Sequence, residues 1–87
     1  MTMDKKGLTK LIEECGELIQ IAAKKSAYMN DTIHPDGQNM DVRLEEEIAD
    51  VLASIKFVSE KFNLNNGLIE YRKMNKLNMF GKYDKES

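Results

Sequence analysis

The chain has 87 residues, enough for one domain, and we treat residues 1–87 as a single unit. With 13 basic and 15 acidic residues its net charge is −2, which argues against a protein that binds nucleic acid polymers. The single cysteine excludes an internal disulfide, and no apolar run is long enough to span a membrane. Because the first seven residues are polar, unlike a signal peptide, we expect a cytoplasmic protein.

Three helices are predicted in chain order. Apolar residues recur with helical spacing over about residues 8–28 and again over about 42–62, where Asp41 is a plausible N-cap. The segment 30–39 between them contains His-Pro-Asp-Gly and is predicted to be a loop. A third helix is expected over about 68–79.

The ends of the chain and the fold class follow from the same patterns. Gly81 is expected to end the third helix, and the segments 1–7 and 82–87 are predicted to be flexible. No stretch alternates apolar and polar residues over a useful length, so the predicted class is all-α, a helical hairpin plus a C-terminal helix. A single chain of this kind would leave apolar helix faces exposed. Pairing with a second copy would cover them, which predicts a four-helix-type bundle formed by oligomerisation.

The two long helices share one sequence pattern. Residues 10–19 in the first helix and residues 43–52 in the second both follow the order basic, Leu, any residue, Glu, Glu, apolar, small, acidic, apolar, apolar. Each stretch therefore contains two acids three residues apart, Glu14 with Glu17 and Glu47 with Asp50, and such residues are neighbours on one helix face. At about 100° per residue both pairs lie at the edge of the apolar stripe, so antiparallel packing would bring the four carboxylates together.

Converging carboxylates favour a particular ligand. They repel one another unless a cation lies among them, and an all-oxygen ligand set suits Mg²⁺ first, with Mn²⁺ as a possible substitute. The small residues Gly16 and Ala49 would let the two backbones approach at this level. One acid–x–x–acid step is common on solvated helix faces; its repetition in the same register favours a metal site.

These residues resemble the all-α nucleoside triphosphate pyrophosphohydrolase superfamily, specifically the short MazG-like proteins. The resemblance rests on residues 13–20 with Lys24 and on residues 44–52, and it spans about 8–76. It implies Mg²⁺-dependent hydrolysis of a nucleoside triphosphate to the monophosphate and pyrophosphate, an activity that cleans the nucleotide pool.

The resemblance also implies roles for individual acids. By position, the Mg²⁺ ligands would be Glu14, Glu17, Glu47 and Asp50. Glu13 would contact a second metal or orient the attacking water.

Basic residues would complete the site by contacting phosphate. Lys24 matches a recurrent lysine of the family, and Lys73, Asn75 and Lys76 fit loosely the basic and amide residues that reach the triphosphate from the third helix. Residues 81–83 depart from the Arg-bearing ending that the family leads us to expect.

Several alternatives stay open at this stage. His34 is expected on the surface, away from the acids, and Tyr28, Phe57 and Phe80 are candidates to stack on a base, although Phe57 also fits a core or an interface. A phosphoribosyl-ATP pyrophosphatase and a non-catalytic helical oligomerisation or partner-binding module are the two other functions considered. The sequence leaves open the base and sugar preference, the number of metals, and homodimer against homotetramer.

Overall fold

The computed structural model describes residues 5–86, without the side chains of Lys6, Lys85 and Glu86. Over this range no β-strand forms, which confirms the predicted all-α class. The predicted flexibility of residues 1–4 and 87 lies outside the described residues. After a 3₁₀ turn at Lys5–Gly7, the helices are α1 at Leu8–Ala27, α2 at Met40–Lys61 and α3 at Asn66–Glu86.

The first two helices pack side by side in opposite directions. Gly7, just before α1, lies against Phe57 near the end of α2. At the other end of the pair, Lys25 of α1 forms a 2.9 Å ion pair with Asp41 in the first turn of α2. The predicted helical hairpin is therefore present, and it brings the two acidic stretches alongside each other.

The loop between α1 and α2 contains a tight turn. The backbone N–H of Gly37 donates to the carbonyl of His34 at 2.8 Å, with Pro35 in the second position of the turn and Gly37 at a φ of +94°. His34 accepts a hydrogen bond at Nδ1 from the backbone N–H of Asp36, and its ring meets Tyr28 edge-on at 4.9 Å. His34 lies in the loop and outside the carboxylate cluster, and its half-buried ring helps to order the loop.

The start of α2 differs from the prediction by two residues. Asn39, in extended backbone, is the N-cap: its Oδ1 accepts a 3.0 Å hydrogen bond from the backbone N–H of Val42. Asp41, the predicted N-cap, lies inside the helix and uses its carboxylate to pair with Lys25.

Replacing this N-cap gives a first testable result. We expect Asn39→Ala to lower the free energy of unfolding by about 1 kcal/mol, because an N–H at the start of α2 loses its acceptor. Urea unfolding followed by circular dichroism measures the change. Asp41→Ala serves as the control and should lower the free energy of unfolding by less. A larger decrease for Asp41→Ala than for Asn39→Ala would indicate that Asp41 is the N-cap.

The interior of the hairpin is narrow. One stripe along α2 is buried, and its members recur with helical spacing. They are Met40, Glu47, Val51, Ser54 and Val58. From α1 only Ile21 is fully buried, with Leu11, Glu14 and Leu18 half-buried beside it.

Part of the helically spaced apolar series of both long helices is exposed. A single chain gives each long helix one neighbour, so a second apolar face on each stays uncovered. The exposed residues of these faces are Ile12, Ile19, Ile48, Leu52 and Ile55. Gly16 is also exposed, and a Cβ built on it would meet nothing within 4 Å, so the predicted close backbone approach at Gly16 is absent within the described chain.

The third helix makes almost no contact with the hairpin, and every side chain of it that the structure describes is exposed. The radius of gyration is 15.9 Å, against about 12 Å expected for a compact domain of this length. The chain is thus a hairpin with an arm.

The arm is longer than predicted, since α3 passes through Gly81 and ends at Glu86. Large apolar residues recur on it at every third position, and a helix turns about 100° per residue, so this stripe winds around the helix. Its members are Leu68, Tyr71, Met74, Leu77, Phe80 and Tyr83. None of the three helices, over residues 5–86, combines the length and apolar character that a membrane crossing requires.

Candidate metal centre

Three carboxylates meet between α1 and α2. Oxygens of Glu14, Glu47 and Asp50 all lie within 4.8 Å of one another. Oε1 of Glu14 and Oε1 of Glu47 are buried and have no hydrogen-bond partner among the described residues. Buried charged oxygens without donors are costly, and a hard cation is the partner that such a donor set fits. The residues present therefore suit a divalent metal ion.

Glu47 occupies a position that the helix pattern assigns to the core. It lies four residues before Val51 on the buried stripe of α2, and only 2% of its surface is exposed. An apolar residue at this point would contribute more to folding, so the carboxylate is explained by a ligand better than by stability. The spacing of the stripe, together with the acid pattern, places Glu47 in the interior.

The fourth predicted ligand, Glu17, adjoins the cluster from the exposed side. The negative charge of Glu47 is the main cause that raises the pKa of the Glu17 carboxyl above its ordinary value, and the charge on Glu14 adds to it. Like charges held this close favour protonation unless a cation compensates them. Glu17 is therefore coupled electrostatically to Glu47 and Glu14, although the tight group consists of Glu14, Glu47 and Asp50.

Arg43 supports the cluster and was missed in the sequence analysis as a functional residue. Its guanidinium donates to Glu46 Oε1 at 2.9 Å and to Glu47 Oε2, and these two hydrogen bonds raise the pKa of Arg43. One oxygen of Glu47 is thereby held while the other stays available. The signal was present, because a base four residues before an acid is a standard helical ion-pair spacing.

Lys24 lies at a polar cleft next to the cluster, lined among others by Glu17, Gln38 and Arg43. Its ammonium donates to Asp36 Oδ2 at 3.0 Å and to Gln38 Oε1 at 3.2 Å. The pKa of Asp36 is lowered to about 2, first by the backbone N–H of Gln38 and then by Lys24. A cation is thus available beside the carboxylates, paired with one loop carboxylate.

On the opposite side, Glu13 and Glu14 border a groove between the start of α1 and the middle of α2. Glu13 is exposed and holds Lys10 in a 2.7 Å ion pair. It therefore lies next to Glu14 but outside the tight group of three.

The predicted phosphate-binding residues of the third helix lie elsewhere. Lys73, Asn75 and Lys76 are exposed on α3, and Lys73 pairs with Glu70 at 2.9 Å. Neither the polar cleft nor the groove is lined by α3. Within one chain, the structure does not bring these three residues to the carboxylates.

The fold and the cluster together define an all-α protein whose helical hairpin brings together carboxylates that suit a divalent cation. A scan against protein families matches residues 4–77 to the MazG nucleotide pyrophosphohydrolase domain. The chain belongs to this family, since the match covers most of its length, and the predicted resemblance is confirmed. Membership indicates a metal-dependent hydrolase of nucleotide pyrophosphate bonds. Comparisons with curated proteins and with solved structures gave no significant match.

Proposed function

We propose that the protein hydrolyses nucleoside triphosphates to the monophosphate and pyrophosphate, with Mg²⁺ as its cofactor and Mn²⁺ as a substitute. The observation that carries the proposal is the convergence of Glu14, Glu47 and Asp50 with two buried carboxylate oxygens left without donors. Family membership supports the reaction class, and the carboxylate cluster is the site at which we propose that the reaction occurs.

We assign the metal ligands to Glu14, Glu17, Glu47 and Asp50. A bound Mg²⁺ would neutralise phosphate charge that develops during displacement. The protein keeps Glu47 in place through Arg43, and the packing of α1 on α2 fixes the distance between Glu14 and Asp50.

Glu13 is assigned to the attacking water. It borders the same groove as Glu14, it is exposed to solvent, and its ion pair with Lys10 limits where the carboxylate can move. A carboxylate in this position orients a water towards phosphorus by accepting a hydrogen bond from it.

Lys24 is assigned to phosphate. A triphosphate carries more negative charge than the single carboxylate of Asp36, so it would compete for the ammonium. We expect Lys24→Gln to raise KM roughly 10- to 150-fold, since a hydrogen bond to a charged group contributes about 1.5–3 kcal/mol. Steady-state kinetics measure the change.

The neighbouring lysine provides a matched control for this prediction. Lys25 pairs with Asp41 and lines neither cleft, so Lys25→Gln should leave KM near the wild-type value. Equal effects of the two substitutions would contradict a phosphate contact specific to Lys24.

We further propose that the working form is a homodimer or homotetramer. The outward apolar faces of α1 and α2 and the unpacked α3 are more than a monomer is expected to expose. Because the apolar stripe of α3 winds around the helix, covering it needs neighbours on more than one side. An α3 supplied by a second copy would also offer Lys73, Asn75 and Lys76 to the triphosphate.

Size-exclusion chromatography with light scattering tests the assembly. The proposal predicts a mass of two or four times 10.0 kDa at micromolar concentration. A stable monomer that retains full activity would overturn it.

Product analysis tests the activity itself. Purified protein with Mg²⁺ is incubated with a panel of canonical, deoxy and modified nucleoside triphosphates and with phosphoribosyl-ATP. We expect equal amounts of monophosphate and pyrophosphate from at least one nucleoside triphosphate. Turnover of phosphoribosyl-ATP alone, release of orthophosphate with a diphosphate, or no product from any member would contradict the proposal.

A further inference from the structure

The groove next to Glu14 and Asp50 has two chemically different ends. Its volume is about 920 Å³, within the range of small-molecule sites. Along α2 the lining runs from Asp50 past Ala53 to Phe57, and Gly7 lies against Phe57, so the carboxylates and the ring are at different ends. A ligand that fits it would join a charged, metal-binding part to a flat apolar part.

Phe57 is held in place but remains open to solvent. Gly7 adopts a φ of +86°, and a Cβ added there would lie 2.5 Å from Phe57 Cδ2, so the bare backbone packs directly against the ring edge. The ammonium of Lys61 lies 5.3 Å from the ring centroid. Even so, 47% of Phe57 is exposed. An aromatic ring that is fixed and half open can serve as a stacking surface.

The distance along α2 suits a nucleotide. Asp50 and Phe57 are seven residues apart, which places them on one helix face about 10 Å from each other along the axis. Between them lies Ser54, whose hydroxyl donates to the backbone carbonyl of Asp50 at 2.9 Å and keeps its oxygen free to accept another bond. Thr9 and Lys10 face the groove from α1.

We infer that this groove receives the nucleobase of the substrate, stacked on Phe57, while the phosphates lie at the carboxylates. The inference rests on the proposed function and adds to it the residue that binds the base. A second copy of the chain is the other conceivable occupant. An apolar helix laid in the groove would, however, cover Glu14 and Asp50 without supplying a cation, which is unfavourable.

The absence of tryptophan gives a direct test. Phe57→Trp, Tyr28→Trp and Phe80→Trp each create a protein with one tryptophan, which is excited selectively over tyrosine, at the three aromatic positions that could meet a base. Each variant is titrated with Mg²⁺ and a nucleoside triphosphate made non-hydrolysable by an α,β-imido group. A parallel titration uses inorganic tripolyphosphate, which lacks the base.

We expect the imido nucleotide to quench at least half of the fluorescence of Phe57→Trp, and tripolyphosphate to leave it unchanged. Tyr28→Trp and Phe80→Trp should respond to neither. If calorimetry shows nucleotide binding to Phe57→Trp without quenching, or if tripolyphosphate quenches equally, the inference is wrong. Base-dependent quenching at Tyr28→Trp or Phe80→Trp instead would move the base to that position.

Kinetics provide a second, independent test. Stacking on one aromatic residue contributes about 1–3 kcal/mol per base, so Phe57→Leu should raise KM roughly 5- to 150-fold with kcat nearly unchanged. Phe57→Tyr, which keeps the ring, should restore KM. Melting temperature and oligomer mass of both variants are measured alongside, so that loss of folding is recognised.

The two proposals fail in different ways. If the wild-type protein hydrolyses nucleotides but Phe57→Leu has the wild-type KM, the stacking inference falls and the proposed function stands. If Phe57→Leu also breaks the oligomer, the groove belongs to a second copy. If the wild-type protein releases no pyrophosphate from any nucleotide, the proposed function falls, and the fluorescence titration still decides whether the groove binds a base.

Discussion

Glu14→Gln and Asp50→Asn are each expected to reduce kcat/KM by at least about 10³-fold while leaving the helices folded. Losing a residue that only supports a metal ligand already costs about 10- to 100-fold, and these two are assigned as ligands themselves. Both substitutions preserve size and remove one negative charge from a cluster whose oxygens lie within 4.8 Å of one another. Pyrophosphate release measures activity, and far-ultraviolet circular dichroism measures helix content.

A matched control is available on α2. Glu45 is exposed, two residues before Glu47, and belongs to neither the cluster nor the groove. Glu45→Gln should therefore keep the wild-type rate. Near wild-type rates in both Glu14→Gln and Asp50→Asn would contradict the assignment of these carboxylates as metal ligands.

Glu47→Gln is expected to separate stability from metal binding. Without metal, the substitution should raise the free energy of unfolding by about 1 kcal/mol or more, because it removes a buried charge beside three other acids. For a domain of this size that corresponds to a rise in Tm of roughly 4–8 °C. Arg43 keeps its hydrogen bond to Glu46, so its charge stays paired in the variant.

The stabilisation by Mg²⁺ should fall in Glu47→Gln, although the same substitution raises Tm without metal. With Mg²⁺ at ten times its Kd, the wild-type protein gains about 1.4 kcal/mol, or roughly 6–11 °C in Tm. Glu47→Gln should lose most of this gain, whereas Glu45→Gln should keep it. A Glu47→Gln protein that melts lower without metal and is still stabilised by Mg²⁺ like the wild type would contradict the assignment.

The grouping of the acids could be predicted because two periodicities agree. The acid–x–x–acid steps occur in the same register relative to the apolar residues on both long helices, so antiparallel packing leaves little freedom in where Glu14, Glu47 and Asp50 meet. The all-α hairpin followed from the same helical spacing. The spacing of the acids and the antiparallel packing of the hairpin therefore both predict that these carboxylates lie together.

Other features depend on contacts that a sequence pattern does not contain. Both Asn39 and Asp41 are good N-cap residues by sequence, but Asn39 accepts the capping hydrogen bond from Val42 while Asp41 pairs with Lys25. Gly81 costs only about 1 kcal/mol relative to alanine in a helix, too little to end α3 among favourable neighbours.

The burial of individual apolar residues does not follow from the sequence pattern. Ile12 and Ile21 are the same residue type on the same helix, yet Ile12 is 72% exposed and Ile21 is buried. The difference arises because each long helix has only one neighbouring helix in the chain. Phe57 fits a core, an interface or a stacking surface by sequence alone. Its contact with Gly7 and its place at the groove are the observations on which the proposed stacking surface rests.

Anomalous diffraction from crystals grown with Mn²⁺ shows whether the carboxylates between α1 and α2 hold a metal, because it locates the ion without reference to activity. We expect a strong peak between α1 and α2, within coordination distance of carboxylate oxygens of Glu14, Glu47 and Asp50, with Glu17 as the fourth protein ligand. Ordered density for these side chains at millimolar Mn²⁺, with no peak among them, would contradict the metal assignment.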